Sequence, residues 1–283
     1  MVTTPIITFI SDPNEPDLYN DVTDFPNPFT MKIPIGIANT HPSATLYFRV
    51  SIVSPPAAYS VSSTNLGSLV FGTSGIFTFA PVRALPTLTA GEYDETLTFR
   101  VDAYTDSGYS AAYANQTLSV TIHHFNHTDG SWTVIAHDTF DDGGTNGWAT
   151  SGTYVEAGAY AFFAERQTTL GFLSSPYAMH VSAPITGKGY KNYNTNGYSK
   201  ARFVYHVREA VYQGVYHASH NLMINYVVKK YLSFLLPDNQ WCRLAFNMPI
   251  GASIEVACSG QYNPSNDPAY FAPGIDEIWV IAK

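Results

Sequence analysis

Nowhere in the 283 residues does an apolar period of 3.6 persist; what recurs is a short alternating run closed off by Gly, Pro, Asn, Asp or Ser. Ala44 to Ser51 (ATLYFRVS), Gly75 to Phe79 (GIFTF), Glu95 to Ala103 (ETLTFRVDA) and Gln116 to His123 (QTLSVTIH) are of this kind. Alternation turns successive side chains to opposite faces of a pleated strand, so each run has one face to bury and cannot bury it as a helix. Many such runs with turn residues between them predict an all-β protein made of β-sandwiches. The length suits two domains or one large sandwich, and either buries a core big enough to fold without a staple.

Charged residues are only 13% of the chain, against roughly 25% in an average soluble domain. Ser, Thr, Asn, Gly and aromatics take their place, with 20 tyrosines and 17 phenylalanines. Such surfaces suit half-buried strands and contact with other molecules. A net charge of -8 without any Lys/Arg cluster gives no footprint for a phosphate backbone, so no nucleic-acid partner is expected. No apolar run is long enough to span a bilayer. The opening MVTTPIITFI has neither the basic start nor the long apolar core of a signal peptide. Two locations remain: the outside of a cell, after removal of an earlier leader, or a virion assembled in a cytoplasm. GxSxG, HExxH, GxxxxGK[ST] and GxGxxG are all absent.

Around His123 to Gly130 (HHFNHTDG) the alternation gives way to polar residues, and a new apolar run starts at Trp132. This places a boundary between a first domain, residues 1–126, and a second, residues 131–283. LTAGEYDETLTFRVDAYTDSG, Leu88 to Gly108, followed by NQTLSVTIHH, resembles the penultimate and last strands of immunoglobulin-like modules of surface proteins. The resemblance implies a tyrosine corner at Gly91 and Tyr93, though the Cys…Trp…Cys core of antibody domains is missing. In the second half, HDTFDDGGTNGW at the start and PGIDEIWVIAK at the end resemble the first and last strands of jelly-roll domains of the carbohydrate-binding-module and concanavalin-like type. That resemblance implies two antiparallel sheets and a closing strand that returns beside the first. The predicted fold class is therefore two β-sandwich domains in tandem, immunoglobulin-like followed by jelly roll.

The bend in HDTFDDGGTNGW holds Asp138, Asp141 and Asp142. Three carboxylates and two glycines can supply hard oxygens to calcium. The jelly-roll resemblance adds Asp276 and singles out Asp138 and Asp276 as ligands of a structural calcium. The competing reading is turn chemistry, with aspartates capping amides and glycines at positive φ. Zinc on His206, His217 and His220 is disfavoured, because residues three apart on a strand point to opposite faces. Tyr190, Tyr193 and Tyr198 in GKGYKNYNTNGYS, and Tyr212 with Tyr216 in VYQGVYH, sit among Gly, Asn and Gln. Exposed rings beside amides suit sugar binding, and they suit protein contact equally well. Asn115 (NQT) and Asn126 (NHT) match the N-glycosylation pattern.

Cys242 and Cys258 lie symmetrically about Met248-Pro249-Ile250-Gly251. A hairpin there would set them across from one another, either bonded or as free thiols. SDPNEPDLYNDVTDFPNP, before the first regular strands, is either a long loop behind an edge strand at Ile6 to Ile10 or an arm that pairs with a neighbouring subunit.

The first expectation is a non-enzymatic structural or surface protein of a cell, filament or virus particle, acting through self-assembly or contact with other structural proteins. The alternative is a glycan-binding module that attaches to a polysaccharide through Tyr190, Tyr193, Tyr198 or Tyr212. A glycoside hydrolase comes third, since it needs two carboxylates facing across a cleft and the glutamates are scattered singly.

Overall fold

A computed structural model describes residues 4–9, 18–21, 29–30, 33–53, 59–60, 64–79, 82–83, 92–140, 146–151, 161–165, 178–181, 188–208, 218–231, 242–262 and 274–283. Every regular element among them is a strand. The chain divides into two compact units, the first formed by Met1–Leu18 and Val22–Asn126, the second by Tyr19–Asp21 and His127–Lys283.

The first part of the chain gives β1 (Ile6–Phe9), β2 (Leu18–Asp21), β3 (Phe29–Thr30), β4 (Ile33–Ala38), β5 (Leu46–Ile52), β6 (Tyr59–Ser60), β7 (Thr64–Leu69), β8 (Ser74–Phe79), β9 (Val82–Arg83), β10 (Glu92–Tyr104) and β11 (Ala112–Phe125). In the first unit a sheet ordered β1-β4-β8 faces a sheet in which β7, β5, β10 and β11 are neighbours. Between them lies a core of Ile7, Ile33, Ile35, Ile37, Leu46, Phe48, Val50, Phe79, Leu97, Phe99, Val101, Val120 and Ile122. The alternation read in LYFRVSI and TLTFRVDA is what fills it: Leu46, Phe48 and Val50 point in, as do Leu97, Phe99, Val101 and Ala103. Each of these side chains larger than alanine contributes about 1.5–3 kcal/mol through burial. The implied tyrosine corner takes another form. Tyr93 is 42% exposed and stacks on His124, its direct cross-strand partner, at 5.9 Å, while Gly91 lies outside the described residues.

The remaining strands are β12 (Thr133–Asp138), β13 (Ala149–Ser151), β14 (Ala161–Glu165), β15 (Ala178–Val181), β16 (Lys188–Tyr193), β17 (Ala201–Arg208), β18 (Ala218–Ile224), β19 (Val227–Tyr231), β20 (Cys242–Met248), β21 (Ile254–Tyr262) and β22 (Gly274–Ala282). One sheet of the second unit runs β13-β16-β21-β18-β19. In the other, β22 pairs with β17 along one side and with β12 and β15 along the other, and β17 pairs with β20. The closing strand thus returns antiparallel beside the first, Thr133 opposite Ala282 and Asp138 opposite Ile278. Phe203, Tyr205, Phe246, Ile278 and Val280 from this sheet meet Tyr193, Leu222, Ile224, Ile254 and Val256 from the other.

The turn between the two cysteine-bearing runs is not a hairpin. β20 pairs with β17 and β21 pairs with β16 and β18, so Met248 to Ile254 carries the chain from one sheet to the other. Proline and glycine suit that crossing as well as they suit a two-strand turn, which is why the sequence pattern misleads here. Cys258 is a free thiol buried in the core, and burial pushes its pKa far above the ordinary range.

The N-terminal segment divides between roles. β1 is an edge strand on β4. Tyr19–Asp21 joins the second unit of the same chain, with Tyr19 opposite Ala245 of β20.

Candidate functional site

Three sets of polar residues stand out in the second unit. The first lies where β12 runs into the acidic bend. Phe140 and Trp148, on either side of it, are both buried in the core, Phe140 with φ 60°. Asp138 is 4% exposed, and its carboxylate accepts from the Lys191 ammonium at 2.8 and 3.0 Å, from Trp148 Nε1 at 2.9 Å and from the Tyr193 hydroxyl at 3.0 Å. Burial, then the Asp138 charge, holds the Tyr193 phenol well above its ordinary pKa, so it remains a donor. A lysine therefore stands where a calcium bound to Asp138 would have to sit. Asp276 is fully buried on β22 and accepts from its neighbour's amide, Glu277 N, at 2.9 Å. Among the described residues no group of three or more His, Cys, Asp or Glu side chains converges to hold a metal. The described part of the bend does not fit a calcium cage around Asp138, and Asp141 and Asp142 lie outside the described residues.

The second set surrounds a bulge in β22. Opposite β17 the register slips between Val204 and His206, and Glu277 takes a left-handed φ of 47°. Bulges of this kind re-aim side chains. Glu277 Oε2 meets His137 Nε2 at 2.6 Å, and His137 stacks on Trp279 at 3.5 Å. His206 Nε2 accepts from Arg243 Nε at 3.1 Å, and its Nδ1 faces the Glu277 carbonyl at 3.4 Å. Burial, then the Arg243 charge, lowers the His206 pKa to about 4, so it is a neutral imidazole at pH 7. Asp21, 1% exposed, reaches His127 Nδ1 at 2.7 Å and Arg243 Nη1 at 3.6 Å. Tyr19 lies 4.5 Å from the Arg202 guanidinium. These groups satisfy one another and lock Tyr19–Asp21 onto the sheet. His220 stands on β18, in the sheet opposite that of His206, and His217 lies outside the described residues.

The third set lies on the outer face of the second sheet, where Asn192 and Tyr226 are exposed, Tyr190, Met223 and Glu255 are half-buried and Ala257 is buried. Because Tyr193, Ile254, Val256, Leu222 and Ile224 face the core, their neighbours in β16, β21 and β18 face outward. Register then sets Tyr190, Ala257 and Met223 in one row across three strands, with Ala149 beyond Tyr190. Asn192 and Glu255 form the next row. The hairpin tip Asn225-Tyr226, both at positive φ, closes it: Tyr226 is 75% exposed and donates from its hydroxyl to Glu255 Oε2 at 3.3 Å, while Asn225 Oδ1 accepts from Glu255 N at 3.1 Å. Ser253 Oγ lies 3.3 Å from Asn192 Oδ1. The result is a shelf of two tyrosines and a methionine bordered by an amide and a carboxylate. Ring and thioether surfaces can take the C–H face of a sugar while the polar row pairs with its hydroxyls.

The four tyrosines proposed from the sequence have different fates. Tyr190 is half-buried with its side chain on the outer face. Tyr193 is in the core, 4% exposed, and offers no ring face to a ligand. Tyr198 is half-buried against the core. Tyr212 lies outside the described residues. Asn115 is exposed on β11 and Asn126 is half-buried just beyond it. Met223, Asn192 and Tyr226 are not legible as a site in the sequence, and Glu255 reads there only as one of the scattered glutamates, because their common face is set by strand register. Lys191 was missed because a lysine in a Gly/Asn-rich run reads as solvated.

No protein-family model matches the chain, nor does any curated protein. Solved structures similar to it include carbohydrate-binding modules and, at 9% identity over 96% of this chain and 50% of that one with a TM-score of 0.28, the secreted serine protease VesC from Vibrio cholerae. The tandem of two family-22 modules from Paenibacillus barcinonensis Xyn10C is 10% identical over 89% of this chain and 87% of that one, with a TM-score of 0.37. A family-35 module from Clostridium thermocellum is 10% identical over 54% of this chain and all of that one, TM-score 0.34. The second family-51 module and INT domains of Clostridium perfringens ZmpB, in complex with GlcNAc, are 11% identical over 98% of this chain and 48% of that one, TM-score 0.40. At such scores what the chain does has to be read from its own residues.

Proposed function

We propose that the protein is a non-catalytic glycan-binding protein whose second unit holds sugar on the outer face of the β13-β16-β21-β18-β19 sheet. The observation that carries this is the registered pair of rows, Tyr190–Ala257–Met223 beside Asn192–Glu255 with Tyr226 at its end. Binding sites for small molecules combine apolar surface with a few placed polar groups, and this face does so on rigid strands. Glu255 is the one carboxylate on that face among the described residues. Glycoside hydrolysis needs a second at a set distance, so binding accounts for the face better than bond cleavage.

The test is a glycan array followed by titration of the hits. Tyr190→Ala and Asn192→Ala should each abolish or strongly weaken binding without lowering Tm, because both side chains leave the core untouched. Unchanged affinity in both variants would refute the site.

A second reading, assembly contact, draws support from the first unit. There Ile6 is 57% and Ile76 40% exposed on the outer side of the small sheet, and Val70 and Phe71 are 55% and 57% exposed at a turn. Four exposed apolar side chains suit a protein interface. Light scattering on the wild type and on Ile76→Thr tests it: a monomer at high concentration would remove this reading.

A further inference from the structure

The larger sheet of the first unit also turns a face outward, and it is built differently. With Phe48, Val50, Phe99, Val101 and Ala103 in the core, Tyr47, Arg49, Arg100, Asp102 and Tyr104 point away from it. Register sets Ser68, Tyr47, Tyr104 and Ala112 in one row, and Asn65, Arg49, Asp102 and Asn115 in the next. Arg100 Nε donates to Asp102 Oδ2 at 3.1 Å along β10. The polar row thus alternates amide, guanidinium, carboxylate and amide, spaced by about 4.8 Å from strand to strand.

Above the tyrosine row stands a third ring. Tyr109 meets Tyr104 at 5.4 Å and Tyr47 at 6.5 Å, nearly perpendicular to both, at 82° and 78°. The two rings on the sheet and the third packed against both at near-right angles make an aromatic corner one row away from Asp102 and Asn115. Tyr109 has φ 55°, a left-handed backbone that any Cβ disfavours and that glycine adopts freely. Asp106 holds the turn: its carboxylate accepts from Ala111 N at 2.6 Å, Ser110 N at 3.0 Å and Ser110 Oγ at 2.9 Å, and its carbonyl accepts from Tyr109 N at 3.2 Å. Those bonds, the one from Ala111 first, lower the Asp106 pKa and keep it ionised to do so. The turn alone would be better served by glycine. What a tyrosine adds at 109 is its ring, kept upright against local strain, and strain maintained by surrounding bonds is a pointer to function.

We infer that the corner of Tyr47, Tyr104 and Tyr109, with the Arg49–Asp102–Asn115 row beside it, is a second binding site for a neutral pyranose of a glycan chain. The inference rests on the reading of the protein as a glycan binder. A ring corner grips the C–H face of one sugar, and a row with both donors and acceptors suits vicinal hydroxyls. Arg49 and Asp102 stand opposite one another in the row, so the row itself carries no net charge, which fits a neutral ligand better than an acidic one.

The test uses the full chain and a panel of neutral gluco-, galacto-, manno- and xylo-oligosaccharides, with wild type, Tyr109→Gly, Tyr190→Ala and the double variant titrated against every hit. Tyr109→Gly removes the ring while relieving the backbone, so its Tm should be unchanged or raised. For at least one hit it should weaken binding roughly tenfold or more, as loss of an aromatic anchor does, with Tyr190→Ala leaving that hit unaffected. Binding abolished by Tyr190→Ala and untouched by Tyr109→Gly would overturn this inference and keep the proposed function. Loss with Tyr109→Gly alone would support the inference and remove the site proposed on the second unit. Silence of the wild type across the panel would overturn both. Loss of self-association in Tyr109→Gly without any sugar binding would overturn the inference in favour of a protein contact.

Discussion

Acidification from pH 7 towards pH 4 should destabilise the second unit through His206. The imidazole is 9% exposed, accepts at Nε2 from Arg243 and has Nδ1 against a carbonyl, an arrangement that needs a neutral ring. Its pKa falls from 6.5 to about 4, through burial first and the Arg243 charge second. For a base the sign is as follows: between those values the unfolded chain binds a proton that the folded one refuses, so stability is whole above pH 6.5 and drains away as pH falls towards 4. One pH unit inside that window is worth up to about 1.4 kcal/mol per proton, which gives about 3 kcal/mol over the whole window and less where water reaches the ring. All four tryptophans lie between residues 132 and 279, so urea unfolding followed by tryptophan fluorescence at pH 7, 6, 5 and 4.5 reads this unit. His206→Gln supplies the comparison, because an amide oxygen can still accept from Arg243 yet takes up no proton. Asp21, His127, His137, Glu277 and Arg243 are present in both proteins, so the difference between them isolates the imidazole. The wild type should lose about 2–3 kcal/mol more than the variant between pH 7 and 4.5. Parallel curves would refute the neutral, buried His206 on which this reasoning stands.

Asp138→Asn should cost about 2–3 kcal/mol, because it leaves the Lys191 ammonium in a mostly enclosed site without its charge partner; the loss should be the same with and without a chelator, and a chelator that reproduced it in the wild type would show that a metal holds the bend. Asp21→Ala should lower the unfolding free energy of the second unit by about 3 kcal/mol by removing the buried acid that faces Arg243 and His127, and a change in stability below about 0.5 kcal/mol, the usual range for surface substitutions, would show that Tyr19–Asp21 is not anchored there. Cys258, buried and with its thiol pKa raised, should escape iodoacetamide in the native protein and react once urea unfolds it, as read by peptide mass mapping; native labelling would contradict its place in the core.

Alternation was enough to find the strands that fill both cores. LYFRVSI, TLTFRVDA and the final EIWVIA each bury every second residue over part of their length, and that signal is local. Register is not local. Whether Tyr190 stands beside Ala257 or beside Val256 depends on how far β16 has slid along β21, and a slide of one residue would exchange the outer row for the core row. For the same reason Tyr190 and Tyr193, three apart in one polar run, parted company: odd spacing on a strand sends them to opposite faces. The acidic bend failed differently, since turn residues announce a change of direction and carry no sign of their counter-charge. Lys191 is 53 residues from Asp138 in sequence, and only the folding of β16 against the bend brings its ammonium to the carboxylate.

The clasp at Asp21 shows the same limit at longer range. LYND sits in a Pro- and Asp-rich stretch with too few apolar residues to announce a strand, and what makes it one is its pairing with β20, where Asp21 meets Arg243 and His127. A strand taken from the chain's own N-terminal segment, with Tyr19 opposite Ala245, covers hydrogen-bonding groups of β20 that would otherwise be open to another chain. That weighs against the segment acting as an exchanged arm while Asp21 remains bound. It also makes a definite demand: if Asp21→Ala frees the edge, the variant, and not the wild type, should associate through β20, and size-exclusion profiles that stay monomeric for both would show that the edge is protected by something other than this segment.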